Sequence, residues 1–233
     1  MRRFLALSVF AATTAGLTLL EIRSARVSQN SIWADDVIRV AVLGDSVAHG
    51  AGDESNHGIA GFLDRELASR GVHFAPTANL GINGARTRDV LRLLKTSYAQ
   101  KLVRIADTVV VSIGGNDLYG DTLSRAMVLF CADCAMQAVL ARTELVVHRI
   151  ERINPSARII LLGLYDPYRQ RSLDRLVNRW DSRLIMRFAE DSAVDVVRIA
   201  DIFSSRDSLS PRDHFHPSTA GYALIAARIA PVL

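Results

Sequence analysis

Ser46 closes the tripeptide Gly44-Asp45-Ser46, which follows the apolar run Val37 to Leu43. A serine hydroxyl is inert toward a carbonyl group until a base takes its proton. The stretch Asp213-His214-Phe215-His216-Pro217 offers that base. His216 can accept the proton, and Asp213, within the same loop, is close enough to take a hydrogen bond from Nδ1 and fix the tautomer. Attack on a carbonyl also creates an oxyanion, which needs donors aimed at it. The backbone N–H of Ser46, at a strand-to-helix turn, is one donor. Gly84, in Asn79-Leu80-Gly81-Ile82-Asn83-Gly84, offers a second that no side chain obstructs, and Asn116, in Gly114-Gly115-Asn116-Asp117, offers a carboxamide. These are the parts of acyl transfer through a serine.

Each residue also has a plainer reading. Ser46 alone could be a helix N-cap, and Asn116 or Asp117 could cap the next helix. His214 and His49 lie near the same clusters and compete with His216, although His214 is adjacent to Asp213, where a hydrogen bond closed by a turn is harder to form. His57, His73 and His148 pair with nothing as metal ligands and are expected on the surface or in packing. Cys131 and Cys134 form a C-x-x-C inside a helical stretch, which fits a local disulfide, two small packing residues or a redox pair. A zinc site would need further ligands. The G-x-S-x-G elbow, the phosphate-binding P-loop, G-x-G-x-x-G and H-E-x-x-H are all missing from the sequence.

The elements that must position these clusters alternate between strand and helix. Val37–Leu43, Val72–Leu80, Ala106–Ile113, Ile159–Leu164 and Val194–Ile199 read as strands, mostly as continuous apolar runs. Between them, Ile59, Phe62, Leu63 and Leu67 have helical spacing, and a short helix starts near Thr87. A long helix is expected from Leu123 to Ile153, ending before Pro155, and an apolar stripe runs from Leu173 to Phe188. A last helix opens near Ser218. Strands without strict polar alternation imply a parallel sheet covered on both faces, an α/β fold with five strands. In such a sheet ligands bind beyond the carboxyl ends of the strands, where all four polar clusters would converge.

The blocks VLGDS at residues 42–46, NLGINGART at 79–87, GGND at 114–117 and DHFHPSTAGY at 213–222 resemble, in the same order, the four sequence blocks of the SGNH/GDSL hydrolases. The resemblance spans about residues 37 to 230. It implies a flavodoxin-like three-layer α/β/α fold, Ser46 as nucleophile, Asp213 and His216 as the other triad members, and an oxyanion hole of Ser46, Gly84 and Asn116. No metal or organic cofactor is implied. The stretch GDSVAHGAGDE at 44–54 is similar to lysophospholipase-like bacterial esterases, with two departures: Val47-Ala48-His49 after the serine, and an insertion between Asp117 and about Cys134. The expected activity is carboxylic-ester hydrolysis on a small acyl ester, whether a lipid, a thioester or an acetylated sugar. The alternatives are a cell-envelope carbohydrate O-acetylesterase, a non-catalytic glycan- or lipid-binding domain of the same fold, and a redox protein working through Cys131 and Cys134.

The chain has 233 residues and a formal charge of +4, but acids and bases are interleaved and no basic run with aromatics appears, so no nucleic-acid partner is expected. Arg2 and Arg3 precede an uncharged stretch from Phe4 to Leu20, the layout of an export signal. Residues 1–20 are expected to be a signal peptide or an N-terminal membrane anchor, with membrane association through residues 4–20. Residues 21–35 would be a tether and 36–233 the hydrolase domain. The protein is thus expected outside the cytoplasm, periplasmic, secreted or anchored.

Overall fold

The computed structural model describes residues 37–233, so the expected leader and tether lie outside the described residues. The strands are β1 (Val40–Gly44), β2 (Ala78–Gly81), β3 (Thr108–Ser112), β4 (Arg158–Leu162) and β5 (Val194–Val197). They pair in parallel in the order β2-β1-β3-β4-β5, with Leu43 beside Leu80 on one side and Val111 on the other. The helices are α1 (Ser46–His49), α2 (Gly58–Ser69), α3 (Thr87–Leu93), α4 (Ser97–Ile105), α5 (Gly115–Tyr119), α6 (Thr122–Ile153), α7 (Arg171–Phe188) and α8 (Thr219–Ile229). This is a flavodoxin-like α/β fold, and its strand order reverses between β1 and β3, the place where open α/β sheets bind ligands.

Successive strand residues point to opposite faces, so each apolar strand feeds two cores. Leu43, Val109, Val111, Ile159 and Leu161 pack with Val90, Val103, Met136, Val139, Trp180 and Leu184 from α3, α4, α6 and α7. Val40, Val42, Val110, Ile160 and Leu162 pack on the other face with Ile59 and Leu63 of α2 and Tyr222, Ile225 and Ile229 of α8. Burial on both faces explains the absence of alternation in the sequence.

The structure departs from the sequence reading in three places. Strand β2 is shorter than Val72–Leu80. It lies at the sheet edge, and Phe74 reaches the sheet only through an isolated bridge to Ile38. Helix α4 was not expected; it is capped by the Thr96 hydroxyl, which accepts from the N–H of Ala99. Helix α6 is broken at Cys131, whose φ of −152° and ψ of 89° are not helical. The Cys131 sulfur accepts from the N–H of Cys134, in the manner of a cap that restarts the helix, and a disulfide joins the two cysteines. By length and composition alone α6 could cross a membrane, but its Met136, Val139, Val146 and Ile150 are buried in the core.

Candidate active site

Strand β1 ends in a glycine for a steric reason. Gly44 has φ +141°, and a Cβ there would lie 1.8 Å from the carbonyl oxygen of Ser112 on β3. The close approach lets the chain turn at once into α1, placing Ser46 at the first helical position. Asp45 caps that turn, its carboxylate accepting from the N–H of Val47 at 3.0 Å. Burial pushes the Asp45 carboxyl up to about 7, against the lowering effect of the N–H groups and of Ser112 that bond to it.

Ser46 Oγ lies 2.9 Å from Nε2 of His216, and Nδ1 of His216 lies 2.6 Å from Oδ2 of Asp213. The other Asp213 oxygen accepts from the backbone N–H groups of Phe215 and His216 at 2.9 and 3.0 Å. Burial works to raise the Asp213 carboxyl, but the hydrogen bonds from the His216 ring and from these two N–H groups outweigh it, and the net shift is downward. Asp213 is thus held as the anion that orients the imidazole. Neighbouring elements fix the loop: Tyr165 donates its hydroxyl to the Phe215 carbonyl, and the Ser210 N–H donates to that of His216. His214 is exposed, with φ +53°, and its N–H donates to the Ser210 carbonyl. His49 places its ring beside the Gly81 carbonyl, 3.2 Å away.

Gly84 adopts φ +74°, the left-handed region that favours glycine, and open space surrounds the position of a Cβ. Asn116 sits in the first turn of α5, behind Gly114 at the cap position. Neither Asn116 nor Asp117 caps this helix. The Asn116 carboxamide nitrogen donates instead to the Ala85 carbonyl at 3.0 Å, tying the third block to the second. A carboxamide has two N–H groups, so this bond orients the amide and leaves one donor over. Ser46, Gly84, Asn116, Asp213 and His216 all line one cavity of about 520 Å3 beyond the carboxyl ends of the strands.

Several braces were not singled out from the sequence. Asp117 accepts from the N–H and hydroxyl of Thr87 at 2.9 and 2.8 Å and faces Arg142 of α6. Asn79 donates to the His49 carbonyl at 3.1 Å and accepts from the Gly81 N–H, joining the end of β2 to α1. Asp53 accepts from the N–H groups of His57 and Gly58 and from the Thr219 hydroxyl, binding the segment after α1 to α8. The polar character of these residues was the available signal, but their partners lie elsewhere in the chain.

Comparison with known proteins identifies the family and the fold. Residues 42–224 match the GDSL-like Lipase/Acylhydrolase family. The Bacillus subtilis (strain 168) protein YpmR is 29% identical over 203 residues, covering 82% of this chain and 80% of YpmR. Among solved structures, the lipase Lip_vut3 from a goat rumen metagenome superposes with a TM-score of 0.71 at 20% identity, covering 84% of this chain and 97% of that one. The family 3 carbohydrate esterase of Clostridium thermocellum gives a TM-score of 0.62 at 20% identity, with 82% and 92% coverage. At these identities the structures show a shared fold.

Proposed function

The chain belongs to the GDSL-like lipase/acylhydrolase family and is an ester hydrolase, and within that class we propose that it works through an acyl-enzyme on Ser46. In this reading Ser46 Oγ attacks the ester carbonyl carbon while His216 Nε2 takes the hydroxyl proton. The carbonyl oxygen becomes negative and faces the backbone N–H groups of Ser46 and Gly84 and the free N–H of the Asn116 carboxamide. His216 then gives its proton to the leaving alcohol as the carbon–oxygen bond breaks. Water enters, loses a proton to His216 and attacks the acyl carbonyl, releasing the acid and restoring Ser46. Asp213 keeps its negative charge throughout and stabilises the imidazolium.

The observation that carries the proposal is the continuous relay Asp213–His216–Ser46, with separations of 2.6 and 2.9 Å, opening into a cavity that Gly84 and Asn116 also line. A binding domain has no need of a serine joined to an oriented imidazole. A fluorophosphonate probe tests the reading, since it reacts only with an activated serine. The wild type should be labelled and should hydrolyse p-nitrophenyl acetate, while Ser46→Ala should fold, resist labelling and lose turnover. A purified Ser46→Ala protein that retains turnover would refute the assignment.

The same reading places the enzyme outside the cytoplasm. Its support is the leader Arg2 to Leu20 together with the Cys131–Cys134 disulfide, a bond favoured in oxidising compartments. Fractionation of the native host tests it, and finding the protein in the cytosol with both thiols free would overturn it.

A further inference from the structure

The catalytic cavity continues past its own walls. Tyr119, Arg125 and Tyr168 line it, and the same three residues line a larger groove of about 1050 Å3 that also borders on the first segment of α6 and on α7. The floor of that groove is apolar. Leu118 and Leu176 belong to the core, and Val128, Ala132 and Leu173 pack against it. Leu129, 87% exposed, forms the outer wall, and Phe130 beside it is 90% exposed. Two of the charged groups at the border have partners, Arg125 donating to the Tyr119 carbonyl and Arg179 pairing with Asp133, while Arg175 stands exposed at the rim. Contiguous apolar surface of this kind, rimmed by polar residues, marks a binding site more than an ordinary stretch of surface.

We propose that this groove receives the acyl chain of the ester, which makes the substrate class a medium- to long-chain acyl ester and not an acetylated sugar. The inference rests on the Ser46 reading, because only a carbonyl carbon at Ser46 sends its acyl substituent past Tyr119 and Tyr168. Continuity with the catalytic cavity names the occupant. An acetyl group has no chain to fill such a space, whereas sites for small molecules typically measure about 300–1,000 Å3. The alcohol portion then leaves on the other side of the cavity, where Gly52, Asn83 and Phe215 form its border. The kink at Cys131 belongs to the same construction, since Val128 and Leu129 on one side of it and Ala132 on the other all line the groove.

Hydrolysis of p-nitrophenyl acetate, butyrate and octanoate by the full chain, each below its aggregation limit, tests the assignment. Complete burial of each methylene would raise kcat/KM several-fold. For this open groove the expected rise from acetate to octanoate is about tenfold or more. Ala132→Trp, which fills the floor, should cut the octanoate-to-acetate ratio by about tenfold. Leu129→Asp, on the exposed wall where folding is not at stake, should lower the same ratio, and thermal melts check that both variants are folded. A wild-type profile that falls from acetate onward, with acetate turnover still lost in Ser46→Ala, overturns the groove assignment and leaves Ser46 standing. Absence of any Ser46-dependent hydrolysis overturns both. A ratio unchanged in both variants overturns the proposal. So does a flat profile accompanied by a concentration-dependent dimer that Leu129→Asp dissolves, which would give the groove to a second copy of the chain.

Discussion

Replacing Asn116 separates a transition-state donor from a structural brace. Its amide nitrogen already makes one bond, 3.0 Å to the Ala85 carbonyl, so Asn116→Ala removes that bond and the remaining donor together. The brace contributes about 0.5–1.5 kcal/mol, a net value for one intramolecular hydrogen bond. The donor is worth more, because its partner becomes an anion only during reaction. Losing one oxyanion donor costs about 2.7–4 kcal/mol, or roughly 10² to 10³ in kcat, with KM little changed. Asn116→Asp sharpens the contrast. It keeps the shape, but puts one carboxylate oxygen against the Ala85 carbonyl and the other against the developing oxyanion. Two unit charges about 4 Å apart repel by about 4 kcal/mol at an effective dielectric constant near 20. The Asp variant should therefore be at least as slow as the Ala variant. Steady-state kinetics on p-nitrophenyl butyrate give kcat and KM, and thermal melts give stability. If Asn116→Ala lowers the melting temperature yet keeps near-normal kcat per folded molecule, the amide is only a brace, and the oxyanion belongs to the N–H groups of Ser46 and Gly84.

The other expectations concern the base, the buried acid and the end of β1. His216→Ala should abolish turnover, whereas His214→Asn, a change that suits its left-handed φ, should keep most of it; the reverse result would mean that the base has been misassigned. Asp45, pushed up to about 7, keeps a proton between about pH 4 and 7 that the unfolded chain releases, so its contribution to stability is full below about pH 4 and declines as pH rises to 7. The slope is at most about 1.4 kcal/mol per pH unit, and Asp45→Asn should flatten it in urea titrations across that range; an unchanged slope would refute the buried-acid account. Gly44→Ala should prevent soluble folding, because its Cβ would meet the Ser112 carbonyl, while Gly71→Ala, with nothing within 4 Å of the added carbon, should cost only about 1–2 kcal/mol. Equal soluble yields would show that β1 and β3 can separate.

The central strands were legible because burial on both faces writes them as unbroken apolar runs. At the edge that signal fades: β2 pairs on one side only, and Pro76, which has no N–H to donate, lies between Phe74 and the four paired residues. Helix α4 was there to be read but was passed over: Ala99, Leu102 and Val103 have helical spacing and the Thr96 cap marks its start, yet the run is only nine residues long and leads straight into β3. The break at Cys131 leaves no trace in the pattern, since apolar residues continue on both sides. The groove beside the active site is still less visible, because it is assembled from residues 118–132 and 168–179, whose proximity only the fold creates.

The candidate site divides differently. Residues whose types do chemistry could be named from the sequence, whereas those that hold them in place could not, because a brace is recognised by its partner. Each block nevertheless combines the two tasks within a few residues. Asp45 caps the turn that presents Ser46. Asn79 ties the second block, which carries Gly84, to the end of α1, and Asp117, next to Asn116, fastens the third block to Thr87 of the second. Asp213 bonds both the ring and the backbone N–H of His216. Reading only the member of each pair assigned to chemistry points to the candidate site but misses its rigidity. In the proposed mechanism the donors must be in place before charge develops on the carbonyl oxygen, since a donor that has to reorganise during the reaction returns part of its advantage. The bonds between blocks provide that prior placement, which is why substitutions at Asp117 or Asn79, remote from the reacting atoms, should lower kcat as well as stability.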